Sequence, residues 1–208
     1  MLIGLLASTA AWADPWDDDV EAIQLTYHNL TDWRARFTQS TRVEGLGKTI
    51  TATGELTVKK PGKLRLEYHT NPPRRYISDG KMLWIYSEGD NQYQVLPLGS
   101  GAVPRDALTF LTGFGDLRRT FLIEPAVGDT RPAGYAALRL RPKRKAGYRS
   151  LDVVFDARHR LVQLVIVNPS GNRTHYRFDG VEMNTGIADT RFRFTPPAGT
   201  HPVKISGS

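Results

Sequence analysis

The feature that most constrains the fold is an alternation of apolar and polar residues that returns along most of the chain. It is clear at residues 33–38, 49–59 and 64–69, and it resumes after residue 120. A period of two indicates half-buried β-strands. About ten or eleven strands at this spacing predict one meandering antiparallel sheet, which is too wide to stay flat and is expected to curl. The breaks with turn chemistry are Pro61-Gly62, Asn71-Pro72-Pro73 and Asp79-Gly80.

One strand departs from the alternation because both of its faces are apolar. Met82, Trp84 and Tyr86 point to one side. Leu83 and Ile85 point to the other. An ordinary half-buried strand keeps one polar face in water. The sequence therefore predicts that something covers the second face of this strand, and it leaves open whether the cover is a permanent core.

Helices are predicted at two places. The stronger pattern runs from Asp17 to Leu30, where the apolar residues fall on one side and the initial aspartates suit the positive end of the helix dipole. A second, short helix is expected between Pro104 and Leu117, with Asp106 as its cap. Two helices cannot cover a wide sheet permanently. The predicted fold class is therefore mainly β (α+β), a single curved antiparallel sheet with short α-helices over part of it.

The N-terminus has the pattern of a secretory signal peptide. Residues 1–13 form an apolar run that ends in a small-x-small cleavage site, which makes Asp14 the first mature residue. The run is too short to span a membrane, and its usual basic region is missing, as expected for a signal truncated at its start. A buried N-terminal helix is the alternative. Residues 14–208 are expected to form a single soluble domain, because no repeat or linker divides them.

The chain carries a net charge of +7 at pH 7. This charge suits an anionic partner, which includes a membrane surface, an acidic protein or a nucleic acid. Basic residues cluster in one hairpin at 139–145. No RRM, KH or helix-turn-helix signature is present, and an exported protein rarely meets nucleic acid, so we expect no nucleic-acid partner.

No motif for catalysis, a metal or a cofactor is found in the sequence. The histidines lack a zinc-type spacing, and the chain has no cysteine. The stretch GLGKT at 45–49 resembles the end of a P-loop, but Arg42 occupies the position of the motif's first glycine. We therefore expect neither an enzyme nor a bound cofactor. A lipid-processing enzyme is the alternative from that class, and an assay with acyl-ester substrates would test it.

Four stretches, taken together and in order, resemble the LolA family of periplasmic lipoprotein carriers. They are FTQ at 37–39, GELTVKKPGKLRLEY at 54–68, ISDGKMLWIY at 77–86 and FRFTPPAG at 192–199. The resemblance extends from residue 17 to residue 199. It implies an unclosed β-barrel whose concave apolar face is covered by a lid of helices. One face of the strand at 82–86 would then border a cavity that is filled only part of the time.

The same resemblance implies a monomeric, non-enzymatic carrier in the periplasm, with acylated lipoproteins as cargo. The carrier would receive them from an inner-membrane lipoprotein-releasing ABC transporter and pass them to an acceptor at the outer membrane. A carrier or sensor of other lipids or glycolipids with the same open-barrel fold is the alternative. The sensors usually carry a second domain, and lipid-anchored acceptors with this fold need a cysteine, which this chain lacks.

Candidate site residues follow from the strand faces and from the resemblance. For each of them a plain core role is the alternative, because a sheet face has the same pattern over a core as over a ligand. Lys60 replaces the family's arginine that hydrogen-bonds the lid, and is the candidate latch, although lysine lacks the planar five-donor fork. The candidates for lining the cavity are Phe37, Leu64, Leu66, Tyr68 and Trp84. The candidates for the lid are Tyr27, Leu30, Leu108, Phe110 and Leu111.

Overall fold

A computed structural model of the chain describes residues 16–43, 47–69, 72–98, 115–126 and 133–203. Most of the regular structure in these ranges is β-strand. The strands are β1 (Asp32–Val43), β2 (Lys48–Lys59), β3 (Lys63–Tyr68), β4 (Arg74–Asp79), β5 (Met82–Ser87), β6 (Gln92–Pro97), β7 (Phe121–Pro125), β8 (Ala136–Pro142), β9 (Ser150–Phe155), β10 (Leu161–Val167), β11 (Arg173–Met183) and β12 (His201–Pro202).

These strands form one curved sheet in the order β12-β6-β5-β4-β3-β2-β1-β11-β10-β9-β8-β7. Every neighbouring pair from β6 to β7 in this order is antiparallel. The short β12 is parallel to β6, which the sequence did not predict. Because β12 and β7 stand at opposite ends of the order, the sheet is not closed. The predicted fold class is confirmed.

Among the described residues, two α-helices are present. The first, α1, spans Asp17–His28 and ends before Leu30, the predicted end. The second, α2, spans Leu117–Thr120 and has no counterpart in the sequence prediction. Asp116 caps α2, since its carboxylate accepts a hydrogen bond from the Arg119 backbone N–H at 2.9 Å.

Two predictions fall outside the described residues. One is the signal peptide at residues 1–13. The other is the short helix that would bear the lid candidates Leu108, Phe110 and Leu111. In the ranges that the structure describes, no helix is long and apolar enough to cross a membrane.

The strand register brings apolar residues of neighbouring strands to one side of the sheet. Trp33 of β1 lies opposite Val58 of β2, which in turn lies opposite Leu64 of β3. Each of these side chains is 1 % exposed, and they share a core with Val20 and Ile23 of α1. Full burial of such a side chain stabilises the fold by about 1.5–3 kcal/mol. We call the side covered by α1 the inner face of the sheet, and the opposite side the outer face.

The outer face of β5 is covered by the chain that follows β11. The ring centroid of Phe194 lies 6.4 Å from that of Trp84, 5.9 Å from that of Tyr86 and 5.5 Å from that of Tyr93. The second apolar face of this strand is therefore covered by a segment of the same chain. This contact by itself explains why the outer face of β5 is apolar, so no cavity has to be invoked on that side.

This covering segment, residues 189–197, has the sequence DTRFRFTPP, whose alternation predicts a strand, and that prediction is wrong. Asp189–Phe192 form a 3₁₀ helix, and the residues between this helix and β12 have no regular structure. Pro196 and Pro197 have no backbone N–H to donate to a strand ladder, which explains why the alternating pattern here does not become a strand.

Polar and apolar contacts hold the covering segment on the sheet. Phe192 is 1 % exposed. Asp189 lies 2.7 Å from the Lys59 Nζ and 2.6 Å from the Lys63 Nζ, and these hydrogen-bonded ammonium groups hold the pKa of its carboxyl at about 2. The Arg65 guanidinium donates to the Arg191 carbonyl at 3.2 Å. The segment is thus fastened to β2 and β3 on the outer face.

Candidate functional site

Four of the five predicted lining residues lie together on the inner face. Phe37 is 2 % and Leu64 1 % exposed, and Leu66 and Tyr68 are partly buried against the same core. Gly54 of β2 joins them, because it pairs with Phe37 on one side and with Tyr68 on the other. The result is an apolar surface that extends over three adjacent strands.

Trp84 does not belong to this surface, because it lies on the opposite side of the sheet from the other four predicted lining residues. Leu64 pairs with Ser78, and Ser78 pairs with Leu83. Leu83 therefore points to the inner face and Trp84 to the outer face, against Phe194. The sequence pattern does not indicate which side of β5 faces the core, because both sides are apolar.

Gly54 is required by the close packing of Phe37. A Cβ atom added at Gly54 would lie 2.0 Å from the Glu67 carbonyl oxygen and 2.6 Å from Cζ of Phe37. The added Cβ could fit beside the Glu67 carbonyl only if one of the two strands moved. An isolated glycine within an alternating pattern is a sequence signal of such a close approach.

Tyr27, a lid candidate, joins α1 to the other half of the sheet. Its hydroxyl accepts a hydrogen bond from the Leu161 backbone N–H at 2.9 Å, and its ring meets Phe155 edge-on at 5.7 Å. Burial raises the pKa of the Tyr27 hydroxyl, so the group is neutral at physiological pH. Leu30, the next lid candidate, lies just beyond α1 and is buried in the same core.

Lys60 contacts the C-terminal end of α1. Its Nζ donates to the carbonyl of Tyr27 at 2.6 Å and to the carbonyl of His28 at 3.1 Å. These carbonyls lie in the last turn of the helix, where a cation is favoured by the helix dipole. Partial burial lowers the pKa of Lys60. The latch candidate therefore lies at the end of the helix that carries the lid candidate Tyr27, although the turn between β2 and β3 is far from α1 in sequence.

Gln24 makes a further attachment of α1 that the sequence did not indicate. The Gln24 Oε1 accepts from the Leu117 backbone N–H at 2.8 Å, and its Nε2 donates to the Gly115 carbonyl. Arg118 of α2 adds an ion pair with Asp17 at 2.7 Å. The helix α1 is thus joined to α2 through Asp17 and Gln24, and to the sheet at its C-terminal end.

Three tyrosines add hydroxyl groups to the inner face. The Tyr68 hydroxyl donates to Oε1 of Gln39 at 2.7 Å and lies 3.4 Å from the Tyr176 hydroxyl. The ring of Tyr76 lies 6.1 Å from that of Tyr68. Burial raises the pKa of Tyr68 and of Tyr176, which keeps both hydroxyls protonated. Only Tyr68 was predicted, because the sequence alone does not show that Tyr76 of β4 and Tyr176 of β11 lie beside it.

A groove of about 290 Å³ lies on the outer face. It is lined by charged side chains of both signs, and its Arg34 and Glu182 form an exposed ion pair at 2.7 Å. Such a lining is unsuited to an acyl chain, since burying charges against a hydrocarbon is costly. The other charged lining residues are Arg36, Glu55, Asp179 and Arg191.

The basic hairpin between β8 and β9 is only partly engaged in contacts with the protein. Lys143 donates from Nζ to the Arg118 carbonyl at 2.5 Å. The side chains of Arg144 and Lys145 are exposed. In the parts of the chain that the structure describes, no group of three histidine, cysteine, aspartate or glutamate residues is placed to hold a metal ion.

Comparison with known proteins identifies relatives over most of the chain. The sequence model of the family described as outer membrane lipoprotein carrier protein LolA matches residues 28–195. An outer-membrane lipoprotein carrier protein from Methylobacillus flagellatus is 26 % identical over 193 residues, which cover 91 % of this chain and 92 % of the relative. A protein of the same name from Cupriavidus taiwanensis is 32 % identical over 177 residues, 82 % of this chain and 81 % of the relative.

A solved structure supports the fold at low sequence identity. A conserved uncharacterised protein from Thermus thermophilus superposes with a TM-score of 0.56 at 14 % identity, and the match covers 89 % of this chain and 97 % of the other. At this identity the likeness concerns the fold alone.

Proposed function

Because the chain belongs to the LolA family, we propose that it carries acylated lipoproteins, with their acyl chains bound against the inner face beneath α1. One observation supports this most directly. An apolar sheet face bearing Phe37, Leu64 and Leu66 is covered by a helix whose polar attachments involve a few side chains, chiefly Gln24 and Lys60. A helix attached in this way can be displaced as a unit, and its displacement would expose the face to acyl chains.

The energetics of acyl binding favour a cover that must be displaced. Burial contributes about 0.8 kcal/mol per CH₂, so one chain of ~16 carbons contributes on the order of 12 kcal/mol. Three such chains would exceed the practical affinity limit of roughly 18–21 kcal/mol, and the cargo would never be released. Displacing α1 costs the burial of Val20, Ile23 and Tyr27, which offsets part of the gain.

The proposed carrier works in the periplasm as a monomer and acts by binding rather than by catalysis. It takes lipoproteins released by an inner-membrane ABC transporter and delivers them to an acceptor at the outer membrane. Any input of energy comes from the transporter, and transfer follows increasing affinity from donor to acceptor. Support for this route comes from the names of the relatives and from the signal-like residues 1–13.

Native mass spectrometry of the protein purified from the periplasm of its own host tests the proposal. Conditions that preserve non-covalent complexes should show a one-to-one complex with acylated proteins. If transfer to the outer membrane is blocked and the chain still carries nothing, the carrier function is wrong. A complex with free lipids or glycolipids instead of proteins would favour the alternative, a lipid carrier with the same open-barrel fold.

A variant of Leu66 tests whether the inner face is the binding surface. Leu66→Glu places a carboxylate among apolar side chains and should reduce cargo loading at least about tenfold, because burying an unpaired charge is costly. Val95→Glu is the matched control, since Val95 lies on the outer face beside Trp84 and is 40 % exposed. Leu66→Gln replaces the first variant if the carboxylate prevents folding. Equal loading of all variants would contradict the assignment of the face.

A further inference from the structure

The inner face changes character along the direction of its strands. At one end of the face, Trp33 and Leu64 are each 1 % exposed. Further along the same strands, Gln39 of β1 and Tyr68 of β3 are partly exposed. Tyr176 of β11 pairs with Gln39 and is also partly exposed. One end of the face is therefore apolar and closed to solvent, and the other is aromatic, hydroxylated and closer to solvent.

The hydroxylated end has a common geometry across four strands. Phe37 lies between two tyrosines and meets the ring of Tyr68 at 5.2 Å and that of Tyr176 at 5.8 Å, both edge-on. The Tyr76 ring packs on the far side of Tyr68 at 6.1 Å. Tyrosine suits such a position, because it presents an apolar ring to hydrocarbon and a polar tip to a partner. We call Tyr68, Tyr76, Tyr176 and Gln39 the tyrosine end.

The hydrogen bonds of the tyrosine end leave capacity for a ligand. Gln39 Oε1 accepts from the Tyr68 hydroxyl at 2.7 Å, which is a full-strength hydrogen bond. The 3.4 Å between the Tyr68 and Tyr176 oxygens is much longer than the usual O–H···O distance. The Tyr176 O–H is thus weakly engaged and can rotate towards a better acceptor.

We propose that the tyrosine end is a polar subsite that binds the ester carbonyls at the head of a diacylglyceryl group, while the acyl chains extend along the apolar end. This inference rests on the proposed function and specifies how the ligand is oriented. Carbonyl oxygens accept hydrogen bonds, and the weakly engaged Tyr176 hydroxyl can donate one while the Tyr68 hydroxyl stays on Gln39. A buried carbonyl without a donor is costly, so the subsite fixes the depth to which the chains enter.

Two synthetic ligands that differ only at the carbonyls test the subsite. One is a cysteinyl lipopeptide with a dipalmitoyl glyceryl ester group, and the other is its dialkyl ether analogue, which has the same chains without carbonyls. The wild-type protein should bind the ester about tenfold more tightly than the ether, as expected for one or two hydrogen bonds. Tyr68→Phe/Tyr176→Phe should bind both equally. Tyr86→Phe/Tyr93→Phe, on the outer face, is the matched control and should keep the preference.

The outcomes separate the subsite from the carrier function. If the wild-type protein binds both ligands with equal affinity, the subsite is wrong and the carrier function stands. If the double Phe variant keeps the ester preference, the subsite is likewise wrong. Failure of the wild-type protein to bind either ligand would overturn both. A third ligand, dipalmitoyl phosphatidylglycerol, carries the same esters, and tighter tyrosine-dependent binding of it than of the lipopeptide would assign the subsite to phospholipid rather than to lipoprotein.

Discussion

At the scale of single residues, a few polar side chains hold separate parts of the chain together. Lys60 joins the turn after β2 to the end of α1. Asp32 joins the start of β1 to the chain after β11, with hydrogen bonds from the Thr185 N–H at 2.8 Å and the Gly186 N–H at 3.1 Å. Both residues join segments that are distant in sequence. Substituting either one should therefore destabilise segments far from it along the chain.

Removing the Lys60 ammonium should loosen α1. Lys60→Met deletes two hydrogen bonds to carbonyls of the helix end, and we expect a loss of about 1–2 kcal/mol in the free energy of unfolding. Hydrogen exchange should accelerate in α1 more than in the sheet. Lys60→Arg should restore protection, and Lys48→Met, at an exposed site in β2, should change nothing. Unchanged exchange in Lys60→Met would show that the contact does not hold the helix.

Asp32 should make stability depend on pH in the acid range. Burial favours a higher pKa, but hydrogen bonds from Thr185, Thr31 and Gly186 outweigh it and hold the pKa of the carboxyl below its usual value. A lowered pKa contributes stability that is present above the unfolded-state value of about 3.9 and is lost as pH falls through the folded-state value.

Asp32→Asn should therefore lower the free energy of unfolding by about 1–3 kcal/mol at pH 7 and reduce its decline below about pH 4. Denaturant titrations at several pH values measure both effects. Glu55→Gln, at an exposed position of β2, is the control and should leave the decline in stability at acid pH as in the wild type. An unchanged decline in Asp32→Asn would refute this assignment.

At the scale of elements, β2 supplies the space in which the inner face is packed. Its Gly54 lies where the Phe37 ring and the Glu67 carbonyl of β3 meet the strand. On the outer face, the covering segment after β11 packs on the sheet through Phe194 and the buried Phe192. The two faces of the same sheet are therefore covered by different parts of the chain.

Adding one methyl group at Gly54 should disturb two strands. Gly54→Ala places Cβ 2.0 Å from a backbone oxygen, which a side-chain rotation cannot relieve, and we expect a loss of about 3 kcal/mol. Gly186→Ala is the comparison, because its Cβ would meet nothing within 4 Å and only its φ of +72° opposes the change, at about 1 kcal/mol. Thermal unfolding of both variants measures the difference, and equal losses would contradict the steric explanation.

At the scale of the whole molecule, the net charge of +7 affects how the protein associates with charged partners rather than how it folds. Arg144 and Lys145 are exposed on the hairpin after β8, and they suit docking to an acidic surface of a donor or acceptor. Lys143 is less available, because it contacts the Arg118 carbonyl.

Neutralising the exposed part of this hairpin should slow transfer of cargo. Arg144→Gln/Lys145→Gln should reduce the transfer rate about tenfold at low salt and weaken its dependence on ionic strength. Arg42→Gln/Lys48→Gln removes the same net charge from exposed positions elsewhere and is the control. Equal effects of the two double variants would assign the result to net charge and reject the hairpin as a docking surface.

The strands and the main helix could be predicted because their signals are local. The alternation at residues 64–68 placed Leu64, Leu66 and Tyr68 on one face, and the register confirms that they share it. The helical spacing identified α1 to within two residues of its end. Trp84 lies on the opposite side of the sheet from these three residues, which the sequence could not indicate, since a strand that is apolar on both faces carries no information about which face meets the core.

The sequence by itself determined the period of the strands from β1 to β11, the turn positions and the amphipathic helix, because these depend on neighbours a few residues apart. Only the tertiary structure decided which segments meet. Pairing of β1 with β11 brings Tyr176 beside Gln39, and the chain after β11 returns to place Phe194 over β5. Such contacts depend on strand order and register over more than a hundred residues, and local periodicity does not encode them.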